Sequence, residues 1–412
     1  YRSRLKKIDP LDTDFVIIDE SSMLNINLTA PFLKSIPDAA QILFVGDPNQ
    51  LPAIGPGNVL GDFIDSKAVN VYRLTQIFRQ EEGSSIIDYA IQINRGLPPR
   101  IESPIRKPEL WDLGLNCLFV DSDVSPENQT HFFQYGNEVY DIKECDQQNP
   151  MIEGSIDSGE YEFRKEEPVT PYVIRALLPE NHKLVQKYKS KSDAGKQALL
   201  SKKPDPCSTL QYGVYAEDTI AKLYTEIIPK HYGNSEIQIL TPMTEKSLGT
   251  RSLNRLIQKV SNPYDKNKSQ LIIRNKAFRV GDRVIHCRNN YNLGVFNGEI
   301  GIIKKIDNKK LTCSVEYSED RLIKYTLKRL RELDLAYAIT IHKAQGSEFD
   351  VVIIPIHEQQ NRMLFRSLIY TAFTRAKNAV VLVGERRAFK IAVRNKAQSI
   401  RQTGLKELLV KP

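Results

Sequence analysis

Two short apolar runs open the chain: Phe15-Val-Ile-Ile, ending in Asp19-Glu20, and Ile42-Leu-Phe-Val, ending in Gly46-Asp47. Both are continuous rather than alternating, which predicts parallel strands buried on both faces with ligand-building loops at their C-terminal ends. Leu28 to Ile36 between them predicts a crossover helix. A second helix is predicted from Ser84 or Ser85 to Arg95, with apolar positions at 86, 87, 90, 91 and 93, a Ser cap and Gly96 as its stop. Regular patterning resumes at Ile237-Gln-Ile-Leu-Thr241-Pro242, followed by a helix from near Thr250 through Gln258. Residues 278–328 alternate in strand fashion between Gly turns, which suggests a small antiparallel barrel. Strand 351–354, helix 361–376 and strand 379–383 complete the pattern, so the barrel interrupts a second parallel sheet.

The stretch from about 100 to 235 breaks this rhythm with Pro clusters, a Lys-rich run from Lys183 and an acidic, Gly/Ser-bearing segment from Glu138 to Glu167. It reads as linker plus insertion, its plainest interpretation being a solvated surface elaboration. A formal charge of +8 and a pI near 9.0 favour an anionic partner, nucleic acid first. Five cysteines (117, 145, 207, 287, 313) with no C-x-x-C spacing argue against a disulfide framework or zinc site and point to a cytoplasmic, reducing setting. No apolar run approaches the ~18 residues of a membrane span. The start at Tyr1, without initiator Met or signal-peptide core, suggests a fragment.

Two acids closing an apolar strand suit phosphoryl transfer to water, in which one carboxylate serves the magnesium shell and the other orients the attacking water. Exposed acids at a strand end are the plainer reading of Asp19-Glu20 alone. The loop Gly46-Asp-Pro-Asn-Gln50-Leu-Pro52 adds a side-chain-braced turn and an amide able to reach a terminal phosphate. With Leu74-Thr-Gln-Ile-Phe-Arg79-Gln80, these segments resemble motifs II, III and IV of superfamily 1 DNA helicases, most closely the RecD-like (superfamily 1B) branch. Thr241-Pro-Met243 with Leu248-Gly-Thr250 and Leu253-Asn254 is similar to the opening of that branch's second motor domain. Ile339-Thr-Ile-His342-Lys-Ala-Gln345-Gly-Ser-Glu348 resembles motif V, and Tyr370-Thr-Ala-Phe-Thr-Arg375-Ala376 resembles motif VI.

The resemblance implies roles for the matching residues. Asp19 serves the magnesium shell, Glu20 is the catalytic base and Gln50 senses the γ-phosphate. Arg79 and Arg375 supply charge to the transition state as guanidinium forks, which a lysine does not replace. Taken singly, Arg79 reads as a surface salt bridge and Arg375 as a helix C-terminal cation. Gln345 and Gly346 couple nucleotide to strand, and Glu348 meets the ribose. Pro242, Thr340 and His342 face the DNA; Lys343 is a phosphate contact or a solvated cation. The barrel resembles an SH3-like insert, with Arg283, Arg288, Lys304, Lys305, Lys309 and Lys310 within reach of single-stranded DNA. Tyr291 and Phe296 are stacking candidates, although Phe296 is expected in the barrel core.

One departure stands out: no G-x-x-x-x-G-K-S/T loop occurs, the nearest imitation being Gly195-Lys196-Gln197. The expected fold is α/β, with two RecA-like P-loop NTPase motor lobes, the first incomplete, and an SH3-like barrel inserted in the second. The expected boundaries are 1–100 for the partial first lobe, 101–235 for linker and insertion, 236–277 for the start of the second lobe, 278–330 for the barrel and 331–412 for its remainder. The resemblance implies an ATP- and Mg2+-dependent DNA helicase of repair or recombination, travelling 5′ to 3′ on single strands and at single-strand/duplex junctions, and inactive as this chain alone. It leaves room for a companion polypeptide supplying the missing segment. An RNA helicase and a non-catalytic DNA-binding or assembly subunit remain the alternatives.

Overall fold

The computed structural model describes residues 10–74, 84–105, 107–122, 132–135, 138–141, 212, 215–266, 268–273, 276–318, 321–396 and 403–410. Arg79 and Gly195-Lys196-Gln197 lie outside these residues, as does most of the expected insertion.

In the first lobe, β1 (Phe15–Ile18) and β2 (Gln41–Phe44) pair in parallel, Ile18 opposite Phe44. The crossover is α1 (Ile26–Leu33), capped by Asn25, whose side chain accepts the Leu28 N–H at 2.9 Å. Helix α2 (Val59–Ser66) covers one face of the pair, with the Phe63 ring 5.0 Å from Phe44. Burial on both faces was the expectation from the continuous runs; instead Phe15, Ile17 and Leu43 are exposed, Ile17 by 63%. Among the described residues nothing packs over that face.

The second lobe begins earlier than the sequence pattern suggests. Helix α3 (Ser85–Arg95) closes as expected on Gly96 at φ 81°, with Leu97 N–H bonded to Gln92 O and Gly96 N–H to Ile93 O. Strand β3 (Cys117–Asp121) forms the edge of the second sheet. Residues 84–122, placed across a boundary at 100 by composition, therefore pack with the second lobe. Beyond a hairpin of β4 (Phe132–Tyr135) and β5 (Glu138–Asp141), the chain returns in α4 (Ala216–Lys222) and, after a π turn, α5 (Ile228–Tyr232). Then follow β6 (Ile237–Thr241) and α6 (Thr250–Ser261).

The barrel unit opens with a hairpin of β7 (Gln270–Ile273) and β8 (Lys276–Arg279). Its main sheet is antiparallel: β9 (Arg283–His286), β10 (Ile300–Asp307), β11 (Thr312–Ser318), β12 (Arg321–Thr326) and β13 (Leu333–Leu335), in the order β12-β11-β10-β9-β13. Strand β13 carries the barrel past its expected end at 330 and leads into β14 (Ala338–Thr340) of the parallel sheet. That sheet is completed by β15 (Phe349–Ile356) and β16 (Ala376–Gly384), in the order β14-β6-β15-β16-β3, all parallel. Helices lie on both faces, as fully buried strands require. Val351, Ile353 and Val381 share one core with α4, α6 and the barrel interior. Val352, Ile354 and Leu382 share the other with α3, α7 (Arg366–Phe373) and α8 (Arg386–Arg394). The expected helix 361–376 is broken in two. His357 builds a capping box on a 3-10 turn, Glu358–Met363, and Leu364 leaves helical geometry at ψ 83° before α7 starts. Arg375 thus sits in the turn into β16, beyond the helix. A last helix, α9 (Leu405–Val410), packs back on α2 of the first lobe, where Thr403 Oγ1 donates to Asp62 Oδ2 at 2.8 Å.

A polar ladder on α6 holds barrel and sheet together. Asn254 and Gln258, spaced i, i+4 on one helix face, and Asn262 at the C-cap are all buried. Asn254 Nδ2 donates to Leu335 O and Ala338 O, and its Oδ1 accepts the Ala338 N–H, fixing the start of β14. Gln258 and Asn262 both donate to Asp282, at 2.6 Å each.

Inside the barrel, buried His286 lies 3.1 Å from Tyr325 OH through Nδ1 and 3.5 Å from Glu332 through Nε2. Desolvation lowers its pKa below 6.5, only partly opposed by Glu332. The unfolded chain therefore binds this proton more readily, so stability is present above 6.5 and lost as pH falls through the folded value. His342, also lowered by burial, acts in the same direction. The urea midpoint is expected to be lower at about pH 5.5 than at about pH 7.5, with the difference reduced in His286→Gln.

Candidate active site and nucleic-acid interface

The acidic loop leaves β1 through a backbone turn that side chains dislike. Glu20 is left-handed, φ 51° and ψ 40°, at a cost of roughly 1–2 kcal/mol for a residue with a Cβ. Its N–H donates to Asp19 Oδ1 at 2.7 Å. The next loop holds this turn: Ser21 N–H bonds Val45 O at 2.8 Å, and Ala53 N–H bonds Ser22 O at 3.1 Å. A Cβ on Gly46 would lie 3.0 Å from both Ser21 N and Ser22 N, so a side chain there would press the two loops a few tenths of an ångström apart. Strain retained at such a position accords with a functional role. Asp19 is exposed, and no cluster of three or more metal-binding side chains occurs among the described residues. That donor set fits magnesium, which takes one or two carboxylates and completes its shell with phosphate and water.

The Gly46–Pro52 loop then spans to the second lobe. Asp47 braces it as predicted, accepting Asn49 N–H at 2.9 Å through Oδ1, while its Oδ2 accepts from Tyr370 OH at 2.8 Å. Leu51 is fully buried in the second lobe's core. Its N–H donates to Thr371 Oγ1 at 2.8 Å, and its carbonyl accepts from Gln345 Nε2 at 2.8 Å. The segments read as motifs III, V and VI therefore meet at the backbone of one residue, Leu51. Arg375, 2% exposed, donates to Ser347 O at 3.3 Å and Thr374 Oγ1 at 3.4 Å, and its own carbonyl receives Phe349 N–H at 2.9 Å. Gly346 (φ 78°) and Glu348 line a cavity of about 330 Å³ with Lys343 and the barrel's Gly298–Ile300. Gln50 lines a separate inter-lobe cavity of about 270 Å³ with Asn58, Asn94 and Arg366, and its Oε1 has no hydrogen-bond partner among the described residues. Tyr370 and Thr371 had no role in the sequence reading; their one signal was membership of the motif VI segment.

The expected strand-binding residues gather at the C-terminal ends of adjacent strands. Thr340 pairs in register with Thr241, so Pro242 and the Thr340–Lys343 turn lie side by side. Thr340 Oγ1 caps that turn, accepting Lys343 N–H at 3.3 Å, with Ile341 and Ala344 buried beneath. Desolvation lowers the His342 pKa, leaving a neutral imidazole at pH 7. Lys343 is exposed, its Nζ 3.5 Å from Cys287 Sγ. Two of the barrel cations expected within reach of DNA are already engaged: Arg283 with Glu236 at 2.8 Å and Lys304 with Glu316 at 2.7 Å. Phe296, expected in the barrel core, is 46% exposed.

Three family models match the chain. The SH3 domain of ATP-dependent RecD-like DNA helicases matches residues 253–317, the UvrD-like helicase C-terminal domain 335–383, and an AAA domain 4–105. The chain is 25% identical over 404 residues to the ATP-dependent RecD2 DNA helicase of Deinococcus radiodurans, covering 98% of this chain and 41% of that protein. It is 26% identical to the RecBCD enzyme subunit RecD of Buchnera aphidicola subsp. Schizaphis graminum, covering 91% of this chain and 55% of that protein. It thus spans about half the length of these curated relatives or less. A solved Pif1 helicase from Bacteroides, in complex with ADP-AlF3 and ssDNA, aligns over 90% of this chain and 70% of its own, with 16% identity and a TM-score of 0.43.

Proposed function

We propose that this chain, by its matched domains a RecD-like superfamily 1B helicase polypeptide, forms most of a motor that couples ATP hydrolysis to 5′-to-3′ movement on single-stranded DNA and to duplex unwinding. The observation that carries the reading is the Leu51 backbone, its N–H bonded to Thr371 and its carbonyl to Gln345. It ties the loop beside the acidic pair to both the arginine turn and the strand-binding turn, so that a change at one must be felt at the others.

Glu20 orients and deprotonates the attacking water, and Asp19 contributes to the magnesium shell. Magnesium, when bound, neutralises charge on the phosphates. Arg375, and Arg79 where the chain brings it in, place guanidinium forks on the phosphoryl oxygens, with Gln50 reporting the terminal phosphate. Glu348 meets the ribose beside Gly346. Pro242, Thr340, His342 and Lys343 hold the strand across the ends of β6 and β14. Opening and closing of the lobes shifts one grip relative to the other.

The chain contains no phosphate-loop pattern, so we infer that it hydrolyses little ATP by itself and works with an upstream segment or a companion polypeptide. A relative bearing the name of a RecBCD subunit supports a companion, and with it a role in repair or recombination. No helix among the described residues is long and apolar enough to cross a membrane, and the free thiols Cys117, Cys287 and Cys313 suit a reducing cytoplasm. The test is DNA-stimulated ATP hydrolysis by the chain alone and joined to its upstream coding segment. Activity is expected only in the joined protein and lost about 100-fold or more in Glu20→Gln. A joined protein that binds DNA without turnover points instead to a non-catalytic subunit, and preferential protection of bound RNA to an RNA helicase.

A further inference from the structure

Arg366 opens α7, a position at which the helix macrodipole opposes a positive charge. It is half-buried; desolvation pulls its pKa down, and no carboxylate offsets this among the described residues. Carbonyl oxygens hold it instead. Arg366 Nε donates to Val393 O at 2.8 Å, and Nη1 donates to Asn94 O at 3.4 Å. Val393 and Asn94 are the penultimate residues of α8 and α3, so one guanidinium meets carbonyls that two helix ends leave without an intrahelical partner. Two further bonds at 2.9 Å tie the start of α7 to the end of α8: Arg366 N–H to Asn395 O and Asn395 Nδ2 to Leu364 O. Gly96 leaves the room for this. A Cβ there would lie 2.1 Å from Nη2 and 2.8 Å from Cζ, so a side chain at 96 and the guanidinium exclude each other. The helix stop is thus constrained by Arg366 as well as by its positive φ.

The rest of α7 shows what this placement serves. The helix is a rod of ~12 Å. Tyr370 and Thr371 along it hold Asp47 and Leu51 of the Gly46–Pro52 loop, and Arg375 follows in the turn beyond its last residue. At its head, Arg366 lines the same inter-lobe cavity as Gln50. Sliding α7 by one residue would move these groups by ~1.5 Å. A misplacement of ~1 Å is enough to cost about 100-fold in rate. Leu368, Ile369 and Phe373 share a core with Ile86 and Ile93 of α3, but apolar burial is non-directional. A guanidinium fork fixes direction as well as distance.

We propose that Arg366 is a positioning residue for phosphoryl transfer: by bridging the ends of α3 and α8 it fixes the height of α7, and through α7 the place of Arg375 and of the loop that carries Gln50. The proposal rests on the reading of Arg375 and Gln50 as groups that meet the terminal phosphate. Arg366 acts through its helix and touches neither nucleotide nor strand, so its loss slows turnover without loosening either.

The test is steady-state ATP hydrolysis with saturating oligothymidylate by the protein joined to its upstream segment, with strand affinity read by anisotropy. Arg366→Met should lower kcat roughly 10- to 100-fold and leave the KM for ATP and the strand affinity within about 2-fold of wild type. Arg366→Lys, which keeps the charge without the fork, should recover only part of the loss. Gly96→Ala should act in the same direction by displacing the guanidinium, and in the Arg366→Met background it should lower kcat no further. Urea midpoints identify the folded variants, and Arg366→Lys carries the test if Arg366→Met does not fold. Wild-type kcat in the folded variant overturns the proposal. So does a loss of strand affinity or a rise in KM that matches the fall in kcat, which would mark Arg366 as a support of the fold alone. If wild type turns over no ATP, the underlying reading fails, and the proposal with it.

Discussion

Replacing Arg375 by alanine should lower DNA-stimulated ATP hydrolysis of the protein joined to its upstream segment by about 1,000-fold or more, with strand affinity nearly unchanged. The expectation comes from the combination of burial and geometry. Arg375 is 2% exposed, and its guanidinium is aimed by Ser347 O and Thr374 Oγ1 rather than left to sample solvent. A preorganised fork beside a transferring phosphate is worth ~10³–10⁵ in rate. Arg375→Lys should recover little, because an ammonium does not bridge two phosphate oxygens. Phosphate release measured with saturating oligothymidylate gives the rate, and anisotropy without nucleotide gives the affinity. Equal losses in both would mean that Arg375 supports the fold of the β15–β16 region and not the chemistry. A small loss in rate alone would remove the arginine from the transition state.

The second large effect is on stability. Asp282→Ala should cost about 3–5 kcal/mol, seen as a fall in the urea midpoint. Asp282 is fully buried and accepts from Gln258 Nε2, Asn262 Nδ2, Arg279 N–H and Tyr337 OH. Truncation removes one acceptor from each of these donors at the junction of α6, β8 and the β13–β14 link, Gln258 and Asn262 keeping Ala277 O and Val280 O. Burial raises the Asp282 pKa above 3.8 despite these four bonds, so its titration adds stability below 3.8 that is lost as pH rises through the folded value. Asp282→Asn should fall between, since an amide accepts from some donors but meets others with its own N–H groups. A midpoint within experimental error of wild type in Asp282→Ala would show that water replaces the carboxylate. Because Asn254, on the same helix face, fixes Ala338 at the start of β14, strand binding should weaken along with stability.

Both effects show how unevenly the molecule could be read from its residues. The acidic strand, the Gly46–Pro52 loop and the motif V and VI segments were legible because catalysis and tight turns demand particular side chains at particular spacings. Asp47 bracing its own loop and Gly96 closing α3 are local events within a few residues, and both appear as expected. The break before α7 was missed because Leu364 carries no turn chemistry; the capping box of His357 and Gln360 makes it. Strand β3 was hidden because its five residues lie amid Pro-rich loops and acquire strand character only by pairing with β16. Phe296, a stacking candidate expected rather in the barrel core, is exposed because Val295 beside it takes that place.

The amino-acid sequence by itself determined the α/β class, the order of the motifs and the barrel interrupting the second sheet, and it singled out Asp19, Glu20, Gln50, Arg375 and the Thr340–Lys343 turn as candidates. Periodicity and motif chemistry act over a few residues and survive without tertiary context. Only the tertiary structure decided which of these meet: that Leu51 bonds Thr371 and Gln345 across some 300 positions, that α6 and its C-cap carry buried amides, and that Val295 rather than Phe296 fills the barrel core. Long-range pairing leaves no mark on local composition, since the same residues would satisfy many partners and packing alone selects one.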